Sequence, residues 1–316
     1  MFDSDIRSVP DLFRKFPDQK SCIRYLEEII WRGRPESPFA KEGGYYRLKN
    51  DRYKCKTTGK YFNVMHGTMF ENTKIELQKW FYAIWLITSH KKGIASTQLS
   101  VEIEVTQKTA WFMLQRIRAC FGIENGTKLS GVVEVDETFV GGKNKNRHKD
   151  KKVPMCQGRA FKDKTPVLGM LQRGGNITCI VIPNTRGATI KPLIRKFVEP
   201  GSRLISDEWQ AYNGLGSEYE HFQVDHSKKN YVNLDDNTIH SNSVESAWNV
   251  FKRSVSGMYV KVSKKYLQMY VDEFVYRFNM RKIQQSDRFN WLILNSDTRT
   301  KYKPLTRGEY ERRIAA

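Results

Sequence analysis

The sequence predicts a multidomain α+β protein, and three observations lead to this prediction. The chain has 316 residues, which is long enough for two or more domains. Apolar residues recur at helical spacing in residues 1–35, 72–122 and 240–283. Residues 36–70 and 131–222 instead contain short runs of β-branched and aromatic residues, separated by turn residues. We therefore expect helical segments, one small β-module and one larger domain of mixed α/β structure.

The charge of the chain indicates a polyanionic partner. Its 54 lysines and arginines outnumber the 34 acidic residues, so the formal net charge is +20. Nucleic acid is the first candidate partner, and an anionic membrane surface is the second. A merely basic cytosolic protein is the plainer alternative. It is less favoured because the basic residues recur in clusters beside the motifs described below.

The composition of the chain indicates a cytoplasmic protein without a membrane partner. No apolar run approaches the roughly 20 residues of a membrane-spanning helix. The first residues have neither the basic flank nor the apolar core of a signal peptide. The five cysteines are odd in number and lie far apart, which is typical of a reducing compartment and not of a disulfide framework.

Residues 36–70 predict a small module of β-hairpins. Residues 45–49 and 52–56 are strand-like runs on either side of a turn, and a second turn leads into residues 61–64. A module of this size has little core of its own, and many such modules are held by zinc. The chain contains no Cys-x-x-Cys pair, and only Cys55 stands where a zinc ligand could be. Because one thiolate does not make a structural zinc site, we expect no structural zinc.

A helix-turn-helix is indicated by a short helix over residues 94–102, a tight turn, and a longer helix that begins after Thr106. The start of the longer helix would present Gln107, Lys108 and Thr109 to bases or phosphates of DNA. Many three-helix bundles have the same spacing and bind nothing. The lysines and arginines around this segment favour DNA binding.

The strand-like run over residues 132–140 carries acids at its centre. Side chains alternate between the two faces of a strand, so Glu134, Asp136 and Thr138 share one face. A carboxylate in an otherwise apolar strand is costly to bury unless a cation or a divalent metal pairs with it. Asp136 is therefore the first candidate residue of a metal site.

The order of elements after this strand predicts a ribonuclease-H-like domain. Three strands would form an antiparallel meander, and a helix would lead to a fourth strand parallel to the first. The fourth strand ends at Asp207, and Glu245 lies on a later helix. Because the first and fourth strands would be neighbours, Asp136 and Asp207 would meet, and the helix that carries Glu245 would pack across them.

Three carboxylates brought together in this way favour Mg²⁺ or Mn²⁺. Two such ions, about 4 Å apart, activate an attacking hydroxyl and stabilise the leaving oxygen of a phosphodiester. Taken alone, Asp207 is equally well explained as a turn residue, and Glu245 is better explained as an exposed helical acid. Together with Asp136, on a chain of net charge +20, the three acids favour a catalytic metal site.

A dense basic segment follows the acidic strand and includes Lys143, Lys145 and Arg147. Such a run is usually a solvated surface. Beside a metal site it is better explained as a contact to the phosphates of DNA.

At these residues the sequence resembles the IS1595-type (ISXO2-like) insertion-sequence transposases, which are DDE enzymes of the ribonuclease H superfamily. The similarity extends from about residue 10 to residue 285. The matching sequence motifs are residues 105–111, 133–143, 164–170, 206–212, 240–248 with Lys252 and Arg253, and 272–279.

The resemblance implies that Asp136, Asp207 and Glu245 form the catalytic triad and that Lys252, with Arg253 beside it, faces substrate DNA. Two departures stand out. The family usually has a zinc ribbon near residues 37–58, whereas Ser37, Ala40 and Thr58 replace the expected cysteines here. A histidine that is common in the family is Val260 in this chain.

The sequence therefore predicts a transposase of the prokaryotic cytosol that binds double-stranded DNA at element ends and target sites, and acts as a homodimer on DNA. We expect an N-terminal helix with a degenerate zinc-ribbon-like module (1–70), a helix-turn-helix domain (71–125), a catalytic domain (126–285) and a basic tail (286–316). A ribonuclease-H-like nuclease that does not join strands and a transposase-derived DNA-binding regulator are the alternatives.

Overall fold

The computed structural model describes residues 6–40, 42–141, 148–152, 154, 164–224 and 238–310. The predicted phosphate contacts Lys143, Lys145 and Arg147 lie outside the described residues. The chain forms two compact units, one containing Met1–Phe121 with Lys282–Arg313 and the other containing Gly122–Arg281. None of the helices described is both long and hydrophobic enough to cross a bilayer.

The secondary structure agrees closely with the hydrophobic periodicity of the sequence. In chain order, the helices are α1 (Val9–Lys15), α2 (Gln19–Trp31), α3 (Leu77–Ser89), α4 (Ser96–Glu102), α5 (Gln107–Arg118), α6 (Gly187–Phe197), α7 (Asn242–Arg253), α8 (Leu267–Asn279), α9 (Gln285–Leu294) and α10 (Tyr302–Arg307). The strands are β1 (Tyr45–Arg47), β2 (Tyr53–Cys55), β3 (Tyr61–Phe62), β4 (Val132–Gly141), β5 (Lys164–Gln172), β6 (Ile177–Val181), β7 (Arg203–Asp207) and β8 (Glu220–Val224).

The first unit is built around α3, which is buried along most of its length. The Phe81 ring of α3 packs edge-on against Phe16 and against Phe289 of α9, with centroid separations of 4.8 and 5.6 Å. Helices α9 and α10 lie in the segment for which the sequence predicts a basic tail. Phe289 of α9 is fully buried, so this part of the chain contributes to the core of the first unit.

Helices α4 and α5 occupy the predicted helix-turn-helix segment. The turn between them places Glu104 in the left-handed region, at φ 50°. The Thr106 side chain accepts a hydrogen bond from the backbone N–H of Thr109 at 3.2 Å, so Thr106 is the N-cap of α5 as predicted. Recognition of DNA by this pair of helices remains a prediction.

The small β-module is an antiparallel sheet in the order β1-β2-β3. Its inner face packs Tyr53, Cys55 and Phe62 against Trp31 of α2. The hydroxyls of Ser37 and Thr58 form hydrogen bonds with the Cys55 thiol and lower its pKa to about 7. Ser37 and Thr58 stand at positions where the ISXO2-like transposases that the sequence resembles usually have cysteines. Here their hydroxyls form hydrogen bonds with the thiol of Cys55 instead.

The second unit contains a five-stranded mixed sheet in the order β6-β5-β4-β7-β8. Strands β4, β5 and β6 form the predicted antiparallel meander, and β7 and β8 continue the sheet in parallel. Helix α6 packs on one face, with Ile190 and Ile194 against Val133 and Val135. Helices α7 and α8 pack on the other face. The sheet therefore places β4 at its centre, with the predicted fourth strand, β7, beside it.

Candidate metal centre

The candidate metal centre lies where β4 and β7 stop pairing. The last residues in register are Glu134 and Ile205. Two residues further along each strand are Asp136 and Asp207, which stand next to the gap that opens between the strands. Oxygens of Asp136, Asp207 and Glu137 all lie within 4.8 Å of one another, and all three residues are half-buried. The structure therefore brings together the two aspartates that the sequence predicted would meet.

Glu137 is a member of this group that the sequence did not predict. Adjacent residues on a paired strand point to opposite faces, so Glu137 was expected to face away from Asp136. Because β7 no longer covers this part of β4, side chains from both faces reach the same gap. The Tyr212 hydroxyl donates a hydrogen bond to Glu137 Oε1 at 2.6 Å and holds the carboxylate there. The only sequence signal for Glu137 was its position beside Asp136.

The segment that follows β7 donates hydrogen bonds that orient Asp207 and Glu137. The backbone N–H of Trp209 donates to Asp207 Oδ1 at 3.0 Å. Burial raises the pKa of Tyr212 well above its ordinary value of 10, and the charges of Glu137, Asp136 and Asp207 raise it further. The Tyr212 hydroxyl therefore stays protonated and serves as a fixed donor to Glu137.

Glu134 has a structural role on the same strand. Its side chain is fully buried, and Arg173 Nε donates to its Oε1 at 2.6 Å. The backbone N–H groups of Ser243 and Val244 both donate to its Oε2 at 2.9 Å. The carboxylate thus caps the N-terminus of α7, where a negative charge is favoured. The two hydrogen bonds from Ser243 and Val244 join β4 to the start of α7, so Glu134 fixes α7 on β4.

Helix α7 carries Glu245 in its first turn, on the side of the sheet that Asp136 faces. Gly169 of β5 is directly opposite Asp136 in the register, and the Trp248 ring rests on it. The Glu245 carboxylate accepts a hydrogen bond from Ser241 Oγ at 3.2 Å. Among the described residues, Glu245 is not part of the group formed by Asp136, Glu137 and Asp207.

The predicted DNA contacts that can be described are surface residues. Gln107 and Lys108 are exposed in the first turn of α5, and Thr109 is half-buried beside them. Gln107 Nε2 donates to Ser96 Oγ at 2.8 Å, and the Lys108 ammonium lies 5.1 Å from the centre of the Tyr302 ring. Lys252 and Arg253 are exposed in the last turn of α7.

The donor set at the gap suits a hard divalent cation. The three residues offer only carboxylate oxygens, and Mg²⁺ and Mn²⁺ prefer such ligands. All three are half-buried and therefore remain partly accessible to solvent. The residues present therefore fit an ion that is held by two or three carboxylates and shared with a ligand.

Comparison with known proteins relates this chain to mobile genetic elements. The family model described as ISXO2-like transposase domain matches residues 128–279. An uncharacterized transposase-like protein of Haemophilus influenzae is 31% identical over 106 residues, which cover 33% of this chain and 82% of that protein. An uncharacterized protein in transposable element ISH50 of Halobacterium salinarum is 28% identical over 278 residues, covering 84% of this chain and 92% of its own length.

Solved structures show only a loose similarity. A pre-cleavage Mos1 transpososome structure aligns with 70% of this chain and 79% of its own chain, at 12% identity and a TM-score of 0.27. A Mos1 strand transfer complex aligns with 70% of this chain and 78% of its own chain, at 13% identity and a TM-score of 0.27.

Proposed function

Since the chain belongs to the ISXO2-like transposase family, we propose that it cuts and joins DNA strands at the carboxylates beside β4 and β7. The observation that supports this most directly is the meeting of Asp136 and Asp207 at the point where the two strands separate. The strand order, an antiparallel meander followed by parallel strands, agrees with a ribonuclease-H-like catalytic domain.

In this proposal Asp136 and Asp207 hold Mg²⁺ or Mn²⁺, and Glu245 on α7 is the third acid of the site. The bound ions supply activation of the attacking oxygen and stabilisation of the leaving 3′ oxygen. Tyr212 and the Trp209 backbone N–H hold Glu137 and Asp207 in place before substrate arrives. Such preorganisation avoids the cost of orienting the carboxylates during the reaction.

The reaction has two balanced steps. In the first step, a water oxygen attacks the phosphorus at the element end, and the 3′ oxygen of the cut strand leaves and takes up a proton. In the second step, that 3′ hydroxyl loses its proton as it attacks a phosphodiester of the target strand, and the target 3′ oxygen leaves and takes up a proton. Both steps are in-line displacements at phosphorus, so one set of carboxylates serves both.

Two surfaces of the first unit support DNA binding by residues 1–125. The start of α5 exposes Gln107 and Lys108 after the N-cap Thr106, as expected for a recognition helix. The outer face of the small sheet places Tyr46, Lys54 and Tyr61 side by side in register, with both tyrosines more than half exposed. Aromatic and basic side chains interleaved in this way suit contacts to the DNA backbone.

On the second unit, we propose that Lys252 and Arg253, which are exposed in the last turn of α7, neutralise phosphates of the bound DNA. The sequence alone supports contacts to DNA phosphates by Lys143, Lys145 and Arg147. We propose a homodimer on DNA, because transposition must bring two element ends together.

The test uses a pre-cut duplex that carries the element end, a plasmid target, and Mg²⁺ or Mn²⁺. We expect a joined product with the wild-type chain and its loss in Asp136→Asn and Asp207→Asn. The matched control is Glu220→Gln, an exposed acid at the opposite end of the parallel strands, which should retain activity.

Two other outcomes of this experiment would support the alternative functions. Hydrolysis without joining would identify a nuclease. Sequence-specific binding that yields no product, and that Asp136→Asn and Asp207→Asn leave unchanged, would identify a DNA-binding regulator.

A further inference from the structure

A cleft lies beside Asp207 that none of the roles described above uses. Its volume is about 510 Å³, and it is bounded by the loop between β6 and α6 and by the segment after β7. The residues that line it are Asn184, Thr185, Arg186, Gly187, Lys191, Trp209, Gln210 and Ala211. The volume falls in the range of about 300–1,000 Å³ that is usual for sites that bind small organic ligands.

One wall of the cleft is the indole of Trp209, which is held at two points. The indole N–H donates to the backbone oxygen of Thr185 at 2.9 Å, and the backbone N–H donates to Asp207 Oδ1 at 3.0 Å. The residue is nevertheless 39% exposed. The indole is therefore fixed in orientation at the cleft by Thr185, and the backbone of the same residue is bonded to Asp207, a proposed metal ligand.

The charges of the cleft are basic. Arg186 is exposed at its mouth, and Lys191 of α6 is half-buried in its wall. A Cβ at position 187 would stand 3.1 Å from the Ala211 oxygen and 3.4 Å from Lys191 Cε, so the absence of a side chain at Gly187 gives the lysine stem its space. Among the described residues that line the cleft, none is acidic.

We propose that this cleft is a subsite for one unpaired nucleotide of the DNA strand that is cut. Its base stacks on the Trp209 indole, and its phosphate lies against Arg186 and Lys191. The inference rests on the proposed function, because it assigns a binding site to a nucleotide close to the phosphate that is cut. A paired base exposes only its edges in the grooves, whereas stacking on a side chain requires that the base leave the duplex.

This arrangement has a clear use in strand cleavage. Phosphate contacts alone position a strand without fixing its register, because every phosphate is the same. One base held on the indole of a residue whose backbone N–H bonds Asp207 would set the distance from that nucleotide to the metal ligands. Stacking on an aromatic side chain is worth about 10- to 100-fold in affinity per base.

The first experiment is independent of catalysis. The full-length protein is mixed with a single-stranded oligonucleotide that carries 5-iododeoxyuridine, irradiated with long-wave ultraviolet light, and mapped by mass spectrometry. We expect a cross-link at Trp209 with the single strand and none there with the fully paired duplex. Cross-links that form elsewhere but never at Trp209 would overturn the proposal, as would equal cross-linking of Trp209 to both probes.

The second experiment uses cleavage of element-end duplexes in which an abasic nucleotide replaces each position near the cut in turn. On intact DNA, Trp209→Ala should be about 10- to 100-fold slower than wild type, and Trp209→Phe should retain most of the rate. At one abasic position, wild type and Trp209→Ala should become equal, because no base remains to stack. A constant ratio at every position would mean that Trp209 acts only on the fold.

The cations are tested by Arg186→Gln and Lys191→Gln against Lys196→Gln, which lies on the same helix outside the cleft. For binding to single-stranded DNA, the slope of log binding constant against log salt concentration should become shallower by about 1 in each cleft variant. Lys196→Gln should leave this slope unchanged. Equal slopes for all three would contradict the phosphate contact. If wild type cuts no DNA while Trp209 still cross-links, the proposed function fails, and the cleft is a binding site for single-stranded DNA without a role in cleavage.

Discussion

The buried carboxylate of Glu134 in β4 accepts a hydrogen bond from the backbone N–H of Val244 in α7, at 2.9 Å. Its other oxygen accepts from Arg173 Nε at 2.6 Å. The strand that carries Asp136 and the helix that carries Glu245 are thereby joined through one fully buried ionic group. A buried charge of this kind stabilises the fold only while all of its partners are present.

Removal of this anchor should therefore be costly. We expect Glu134→Ala to lower the free energy of unfolding by about 3–5 kcal/mol, because Arg173 and two helix N–H groups lose their acceptor. Urea unfolding measures the change. The control is Arg195→Ala, which breaks an exposed bidentate pair with Glu218 and should cost about 1 kcal/mol or less. Equal losses in the two variants would contradict a structural role for the buried pair.

The contact between Gly169 and Trp248 predicts a second sensitive position. A Cβ at position 169 would collide with the Trp248 ring, so Gly169→Ala should push α7 away from Asp136. We expect a loss of about 1–3 kcal/mol of stability together with reduced strand cleavage.

Gly216→Ala is the control for this position, since nothing lies within 4 Å of a Cβ there. The double variant Gly169→Ala/Trp248→Phe should recover part of the loss, because the smaller ring leaves room for the methyl group. No recovery would argue against the collision as the cause.

The hydrogen bond from Tyr212 to Glu137 predicts a functional effect that exceeds its effect on stability. Tyr212→Phe should cost about 1 kcal/mol of stability and slow cleavage about tenfold, because Glu137 loses its fixed donor beside Asp136 and Asp207. Tyr219→Phe is the control, since its hydroxyl makes only a 3.4 Å contact to the Val198 oxygen.

Because the pKa of Tyr212 is raised above 10, its stabilising effect should persist through pH 9 and be lost only above pH 10. A stability difference between wild type and Tyr212→Phe that already declines near neutral pH would contradict this assignment.

The environment of Cys55 predicts an unusual thiol titration. The hydroxyls of Ser37 and Thr58 lower its pKa from 9 to about 7, so the thiolate absorbance of wild type minus Cys55→Ala should rise with a midpoint near pH 7. Ser37→Ala and Thr58→Val should each move the midpoint upward.

A lowered pKa stabilises the fold fully above pH 9, and this contribution is lost as the pH falls through 7. The free energy of unfolding of wild type should therefore rise relative to that of Cys55→Ala as the pH increases from 7 to 9. A midpoint near 9 in wild type would show that the hydroxyls do not solvate the thiolate.

Much of the fold could be predicted because its signals are local. Hydrophobic periodicity located the strands of the second unit, and the predicted antiparallel meander agrees with the pairing of β4, β5 and β6. The order of these elements predicted that β4 and β7 would be neighbours, and this pairing is confirmed. Helices α9 and α10 were missed, because the basic composition of the segment masked the apolar residues that α9 buries.

The site was predictable in part. That Asp136 and Asp207 would meet followed from strand order, whereas the inclusion of Glu137 did not. Alternation assigns a residue to a face only while both neighbouring strands are paired, and β4 loses β7 after Glu134. The structural use of Glu134 was also hidden, since its partners Arg173 and Val244 are distant in the sequence.

The sequence by itself thus determined the strand order and the pair of aspartates and predicted a polyanionic partner, because charge, periodicity and connection rules are read along the chain. Only the tertiary structure decided which acids share a gap, which one anchors α7, and where the cleft with Trp209 opens beside Asp207. These features depend on where two strands part and on which side chains then face each other, and such distances are set by packing between segments far apart in the sequence.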